Sequence, residues 1–239
     1  MAQNEHRFSN KVGEEYDLFS LALPHQDEIQ IRAVEKIVKH FPNKENIKVL
    51  EIGFGTGITT NEILSQSEHV SLIGIDNEPG MLNRAVTKLE YFSPERFQLY
   101  IADALEYLEK QDADTFDAVI SVWVLHNLQA DFRSKIYKEI YRVLKTNGIF
   151  VNGDKMAVTD IALHKEHLDW QLKQFDVYED MGRSELKKEW TDHYIEDEDS
   201  SRILYESTFI QDLQKLGFKD CVVDNRHYMD AIGSAIKVK

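Results

Sequence analysis

The residues of this chain that could do chemistry cluster at the ends of apolar runs. Gly53, Gly55 and Gly57 alternate directly after Lys48-Val-Leu-Glu-Ile52. Glycines there let the main chain turn tightly and leave bare peptide N–H groups open to a ligand, with Phe54 between the first two. Glu51 sets a carboxylate just before the turn, which repels a diphosphate and suits an ammonium group. Asp76 ends the next apolar run, 25 positions after Glu51 (76 minus 51), close to the spacing at which a strand-end acid meets ribose hydroxyls in doubly wound nucleotide folds. Its two oxygens match two adjacent hydroxyl donors, and Asn77 follows as a helix cap. Asp103, with Ala104 behind it, ends a third run and offers an acceptor to the amino group of adenine. His126, just past a fourth run, is a candidate general base or orienting group, with His193 and Tyr194 behind it. Tyr16 is placed to cap the pocket from above.

Two cofactor classes fit this pattern poorly. A dinucleotide fingerprint starting at Gly53 needs its third glycine at position 58, which is Ile58, and no phosphate loop with Gly-Lys-Ser/Thr is present. A nicotinamide-dependent oxidoreductase is therefore the second reading. His164 and His167 lie three apart near Asp160, a spacing that helix surfaces produce constantly, so no metal site is expected.

The elements that position these residues follow from periodicity. Short apolar runs at Val49–Ile52, Val70–Asp76, Phe97–Asp103, Phe116–Asn127 and Ile149–Gly153 read as five buried parallel strands. Helical spacing over Gln26–Phe41, from Ile58, from Pro79 and from an Asp131 cap supplies the layers between them. Thr208-Phe-Ile-Gln211 reads as a capping-box start for a helix ended by Gly217. Cys221–Asp224 and Ile232–Val238 read as a final antiparallel hairpin.

Composition sets the outer limits. The 239 residues suit one elaborated domain, and 28 Lys plus Arg against 42 Asp plus Glu give a formal charge of -14. That field repels nucleic acid and anionic membranes, so neither is expected as a partner. A single cysteine, Cys221, excludes an internal disulfide and fits a reducing cytoplasm. No apolar run approaches spanning length, and the amino terminus lacks a leader pattern.

Val49-Leu-Glu-Ile-Gly-Phe-Gly-Thr-Gly57, Ile75-Asp76-Asn77, Ala102-Asp103-Ala104, the Phe116–Leu128 run and Tyr141-Arg-Val-Leu-Lys-Thr-Asn-Gly148 together resemble the class I S-adenosylmethionine-dependent methyltransferases. The likeness covers roughly residues 26–153. It implies a Rossmann-like, doubly wound α/β fold with seven strands, mostly parallel with one antiparallel, plus a helical lid insertion. S-adenosylmethionine is the implied cofactor. Glu51, Gly53 and Gly55 would face its methionine end, Asp76 its ribose, and Asp103 with Ala104 its adenine, while Val122 and Trp123 line the floor near the sulfonium. Phe54, Asn77 and Tyr16 complete the cofactor-binding set, and His126 and His193 the catalytic candidates. One domain over 1–239 is expected: an arm at 1–25, a cofactor core at 26–153, a lid at 155–206 and a terminal helix and hairpin at 207–239.

The lid is expected to choose the acceptor, a small molecule methylated on oxygen or nitrogen. Over Asp160–Tyr178 one helical face carries Ile161, Leu168, Leu172 and Phe175, and the other Leu163, His167, Trp170 and Tyr178. Two apolar faces ask for two partners, such as the sheet layer and a second helix, a pocket or another subunit in a homodimer. Ten acids between 176 and 200 would disfavour anionic substrates if they rim the pocket. Asp154-Lys155 and Gly182-Arg-Ser-Glu-Leu186 also resemble the carboxy-S-adenosylmethionine synthases. That branch needs a lid arginine, and direct alignment puts Asp192 there. A cofactor-binding protein without catalysis completes the alternatives.

Overall fold

The computed structural model describes residues 16–239, with side chains from Leu18 onward. Seven strands form one sheet: β1 (Ile47–Ile52), β2 (Val70–Asp76), β3 (Phe97–Ile101), β4 (Phe116–Val122), β5 (Leu144–Lys155), β6 (Phe218–His227) and β7 (Asp230–Lys237), in the order β3-β2-β1-β4-β5-β7-β6. Strands β1 to β5 are parallel, and β7 runs antiparallel to both β5 and β6. The expected seven-stranded α/β sheet with one reversed strand is what forms. All seven residues of β4 are buried, because helices cover both faces of a parallel strand.

Nine α-helices are described: α1 (Gln26–His40), α2 (Ile58–Gln66), α3 (Pro79–Lys88), α4 (Ala104–Glu109), α5 (Ala130–Val143), α6 (Ile161–Gln174), α7 (Asp176–Asp180), α8 (Ser184–Glu196) and α9 (Glu206–Leu216). On one face of the sheet, Ile29, Ala33 and Ile37 of α1 and Ile63 of α2 pack on Val49, Leu72 and Val151. On the other, Leu108, Ile136, Ile140 and Phe209 of α4, α5 and α9 pack on Leu50, Val119 and Phe150. The lid joins the first layer through Phe175, Tyr178, Leu186, Trp190 and Tyr194. Phe19 stacks on Trp190 at 3.7 Å between ring centroids. Gln171 Nε2 donates to the Ala22 carbonyl at 3.0 Å, and the Tyr178 hydroxyl to that of Leu18 at 3.1 Å.

Several boundaries differ from the sequence expectation. The fourth strand stops at Val122, because Trp123 takes a left-handed φ of 53° and a 3-10 turn over Leu125–Asn127 follows. β5 begins at Leu144 and carries Asn147 at φ 64° inside it, with a register break against β4 between Phe116 and Ala118. The final strands each start earlier than expected. Gln129, Glu78 and Tyr205 hold the N-cap positions of α5, α3 and α9, so Asp131, Asn77 and Thr208 do not. The expected continuous lid helix breaks at Phe175 into α6 and α7, which lets Phe175 and Tyr178 both turn inward. At its other end Ile161 is 83% and Leu163 41% exposed, so neither apolar face is buried along its whole length.

One buried cation ties the lid to the sheet. Arg133 on α5 donates from Nη1 to the carbonyls of Leu125 (3.1 Å) and Leu128 (3.3 Å), and from Nη2 to those of Arg202 (2.9 Å) and Ile203 (3.4 Å). The turn that carries His126 is thereby held to the last segment of the lid. Arg133→Met keeps the apolar stem and orphans these acceptors; urea unfolding should show a loss of about 2–4 kcal/mol.

Candidate functional site

The glycine loop lies at the carboxyl end of β1, between β2 and β4, where doubly wound sheets bind nucleotides. Gly53, Gly55 and Gly57 all have positive φ, at 77°, 51° and 82°. Gly53 N–H donates to the Ile75 carbonyl at 2.7 Å, which anchors the turn to β2. A Cβ at Gly55 would meet nothing within 4 Å, so the loop has open space beside it there. Gly57 caps α2 without a side-chain bond, and the first-turn N–H groups of that helix remain for a ligand.

Asp76 reaches back across this loop. Its Oδ2 accepts from Gly55 N–H and its Oδ1 from Glu78 N–H, both at 2.8 Å. Each carboxylate oxygen keeps a second lone pair for a hydroxyl. Burial raises the Asp76 carboxyl above its usual range despite these bonds. Glu51 is buried outright; Thr60 Oγ1 donates to its Oε2 at 2.6 Å, while Oε1 has no partner. Desolvation pushes Glu51 up to about 8. An orphaned acceptor beside bare peptide fits an ammonium group, the methionine end that the sequence reading assigned to Glu51, Gly53 and Gly55.

Asp103 is half-buried at the end of β3 and caps α4, accepting from Glu106 N–H at 3.0 Å, with Ala104 as the first helical residue. Asn77 is exposed beside Asp76. The Phe54 ring packs with Met81 and Ala85, leaving only its main chain to the loop. The Tyr16 side chain lies outside the described residues.

A second group of polar side chains gathers at the ends of β4 and β5, which pair through Val122 and Gly153. Trp123 and Val122 are both buried there, and Trp123 Nε1 donates to Asp230 Oδ1 at 3.2 Å. Burial pushes Asp230 up to about 6. His126 is 7% exposed. Its Nδ1 is bonded to Asp154 Oδ1, and its main-chain N–H donates to Asp154 Oδ2 at 3.1 Å. A carboxylate partner favours the ring proton on Nδ1 and leaves Nε2 facing the lid. Nε2 faces Asp197 Oδ2 at 3.7 Å, and His193 Nε2 faces the same oxygen at 3.8 Å. Lys155 donates to that oxygen at 2.9 Å and lies 4.2 Å from the Tyr194 ring centroid. His126, His193 and Tyr194, singled out in the sequence, do meet.

Gly53 joins the two groups. A Cβ there would overlap the Val124 side chain, so the glycine loop runs against the turn that carries His126. The other sequence candidates separate: His164 bonds Glu198 at 2.5 Å, the His167 ring meets Tyr228 edge-on, and Asp160 caps α6. Most of the lid acids form a solvated face, with Asp176 and Glu179 on Lys187 and Asp192 on Lys188. Asp197 alone among those ten is buried.

Asp154, Lys155, Asp197 and Asp230 had no catalytic role in the sequence reading. For Asp154 the available signal was an acid closing an apolar run, as at Asp76 and Asp103. Asp197 was hidden in the acidic run and Asp230 in a hairpin.

Residues 49–148 match the family described as a methyltransferase domain. Among curated proteins, the carboxy-S-adenosyl-L-methionine synthase of Nautilia profundicola is 30% identical over 151 residues, 63% of this chain and 61% of that one. The protein of the same name from Campylobacter fetus subsp. fetus is 28% identical over 170 residues, 71% of this chain and 66% of that one. The chain thus spans slightly less than two thirds of either relative in the matched region. Among solved structures, Haemonchus contortus phosphoethanolamine N-methyltransferase 2 in complex with S-adenosyl-L-methionine superposes with a TM-score of 0.59 at 15% identity, over 87% of this chain and 52% of that one. The DszA carbon methyltransferase does so with a TM-score of 0.60 at 20% identity, over 90% and 54%. Such identities speak to the fold. With the glycine loop, the strand-end acids and the family match in agreement, residues 49–148 form a methyltransferase domain, and S-adenosylmethionine is the cofactor it takes.

Proposed function

We propose that the protein methylates a small molecule held between the ends of β4 and β5 and lid helix α8. When bound, S-adenosylmethionine supplies an activated methyl group, so the chain's work is to orient the acceptor and exclude water. The observation that supports this reading is the contact of Gly53 with Val124: the loop to which the methionine end is assigned runs against the turn that carries His126. Glu51 takes the ammonium, Asp76 the ribose and Asp103 the adenine. Val122 and Trp123 form the floor, and His126 and His193 meet the polar group of the acceptor. Asp154, Asp197 and Asp230 around them favour a neutral or cationic acceptor over an anionic one.

A second reading, formation of a carboxylated cofactor as named for the relatives, has one observation in its favour: Lys155 brings a buried ammonium to the pocket. Against it, Asp197 already binds that ammonium, and Asp192, at the aligned arginine position, is exposed and paired with Lys188. The mass of the ligand that co-purifies with the protein separates the readings: unmodified cofactor or its demethylated product is expected, and a carboxylated form would establish the second.

Calorimetric titration with S-adenosylhomocysteine should give one site per chain, weakened at least ~10-fold by Asp76→Ala through loss of the carboxylate's charge-assisted bonds. His126→Asn should leave that affinity intact and lower kcat at least ~10-fold with a competent acceptor; unchanged turnover would remove His126 from the reaction.

Glu51 makes the unliganded protein pH-sensitive. Its carboxyl sits near 8 in the folded chain against an ordinary 4.5, so the folded state keeps a proton that the unfolded state has lost. The resulting stability is fully present below the lower value and drains away as pH rises toward the upper one. Thermal melts of cofactor-free protein should therefore fall across this window, and Glu51→Gln should flatten the slope.

A further inference from the structure

The pocket side chains form a pattern that methyl transfer alone does not require. One ring nitrogen each of His126 and His193 and a carboxylate oxygen of Asp197 lie within 4.8 Å of one another, and all three residues are buried. His193 and Asp197 are one helical turn apart at the end of α8, so both project from one face. His126 arrives from the opposite side, on the 3-10 turn after β4.

From this convergence we propose that His126, His193 and Asp197 bind one divalent first-row transition metal ion, a two-histidine, one-carboxylate site that leaves coordination positions open toward the acceptor. Donors about 2.1 Å from such an ion are separated by about 3.0 Å at a right angle and about 3.4 Å in a tetrahedron. The distances from Asp197 Oδ2, 3.7 Å to His126 and 3.8 Å to His193, exceed the tetrahedral separation by about 0.3–0.4 Å and the right-angle one by about 0.7–0.8 Å, so the side chains would close in on the ion. Both are too long for hydrogen bonds.

The surroundings suit the same role. Asp154 binds Nδ1 of His126 and accepts from Asn152 Nδ2 at 3.2 Å, a carboxylate fixed behind a ligand histidine so that Nε2 is the donor atom. Lys155 donates to Asp197 Oδ2 at 2.9 Å, so the ion would share this carboxylate with an ammonium. Its positive charge opposes the ion, while Asp154 and Asp230 favour it. Sequence spacing concealed the site because two of its ligands are 67 positions apart (193 minus 126). An ion here would hold an acceptor through a sulfur, oxygen or nitrogen atom and favour the deprotonated, nucleophilic form of that atom. This use rests on the methyl-transfer reading; the metal site itself does not.

The test uses the full chain, stripped with a chelator and titrated with Co2+, a spectroscopic stand-in for the native ion. One equivalent per chain should bind, with visible ligand-field absorption and hyperfine-shifted proton signals from two histidine rings. His193→Asn should weaken Co2+ binding at least ~10-fold while S-adenosylhomocysteine affinity holds. His227→Ala, which breaks the half-exposed group of His25, Glu28 and His227, should change nothing. Absence of stoichiometric uptake by wild-type chain that binds S-adenosylhomocysteine would overturn the proposal and leave the cluster as an ion-pair network around Lys155. A loss that follows His227 instead would overturn it too. Should His193→Asn fail to bind S-adenosylhomocysteine, the wild-type ring signals decide: two histidines support the site, and fewer overturn it. Failure of wild-type chain to bind S-adenosylhomocysteine would instead count against methyl transfer, whatever Co2+ does.

Discussion

The approach of Gly53 to Val124 is the constraint on which the rest of the site depends. Parallel strands buried on both faces give the chain one place for polar chemistry, their carboxyl ends. Two loops leave those ends side by side, one from β1 and one from β4. Because position 53 lacks a Cβ, the two close directly on each other. The loop that Asp76 accepts from is thereby brought against the turn whose His126 binds Asp154. A Cβ at position 53 would meet the Val124 side chain and force the two loops apart.

The lid is held to this end of the sheet by polar ties from both ends. Arg133 gathers carbonyls from the His126 turn and from residues 202 and 203. Lys155, at the end of β5, binds Asp197 at the end of α8. The apolar side of the lid is spent on Phe19 and the α1 layer. Burial there fixes the helices, and the few charged groups beneath them set the chemistry. Trp123 shows the cost of this arrangement: a bulky residue at positive φ, of order 1–3 kcal/mol, lets β4 end abruptly and present its turn to the lid.

The glycine loop and the strand-end acids of the proposed cofactor crevice were legible in the sequence because their signals are local. A glycine run after an apolar strand, and acids closing the next two strands, each sit within a few residues of the element that positions them. The acceptor half was only partly legible. His126, His193 and Tyr194 stood out as residue types, but nothing local shows that Asp154 would grip the His126 ring. One buried acid among ten on a solvated stretch has no distinguishing neighbour, so Asp197 passed as surface. Boundaries failed where tertiary contacts overrode local patterns: Asn147 sits inside β5, and the lid helix breaks at Phe175 so that its aromatic side chains can turn inward.

A crystal structure of the protein with S-adenosylhomocysteine tests the central claim most directly. The account predicts the adenine beside Asp103 and Ala104, the ribose hydroxyls on Asp76, the amino group against Glu51, and the sulfur over Trp123 facing His126. A ligand seated elsewhere, or one whose sulfur points away from the pocket beneath α8, would contradict it.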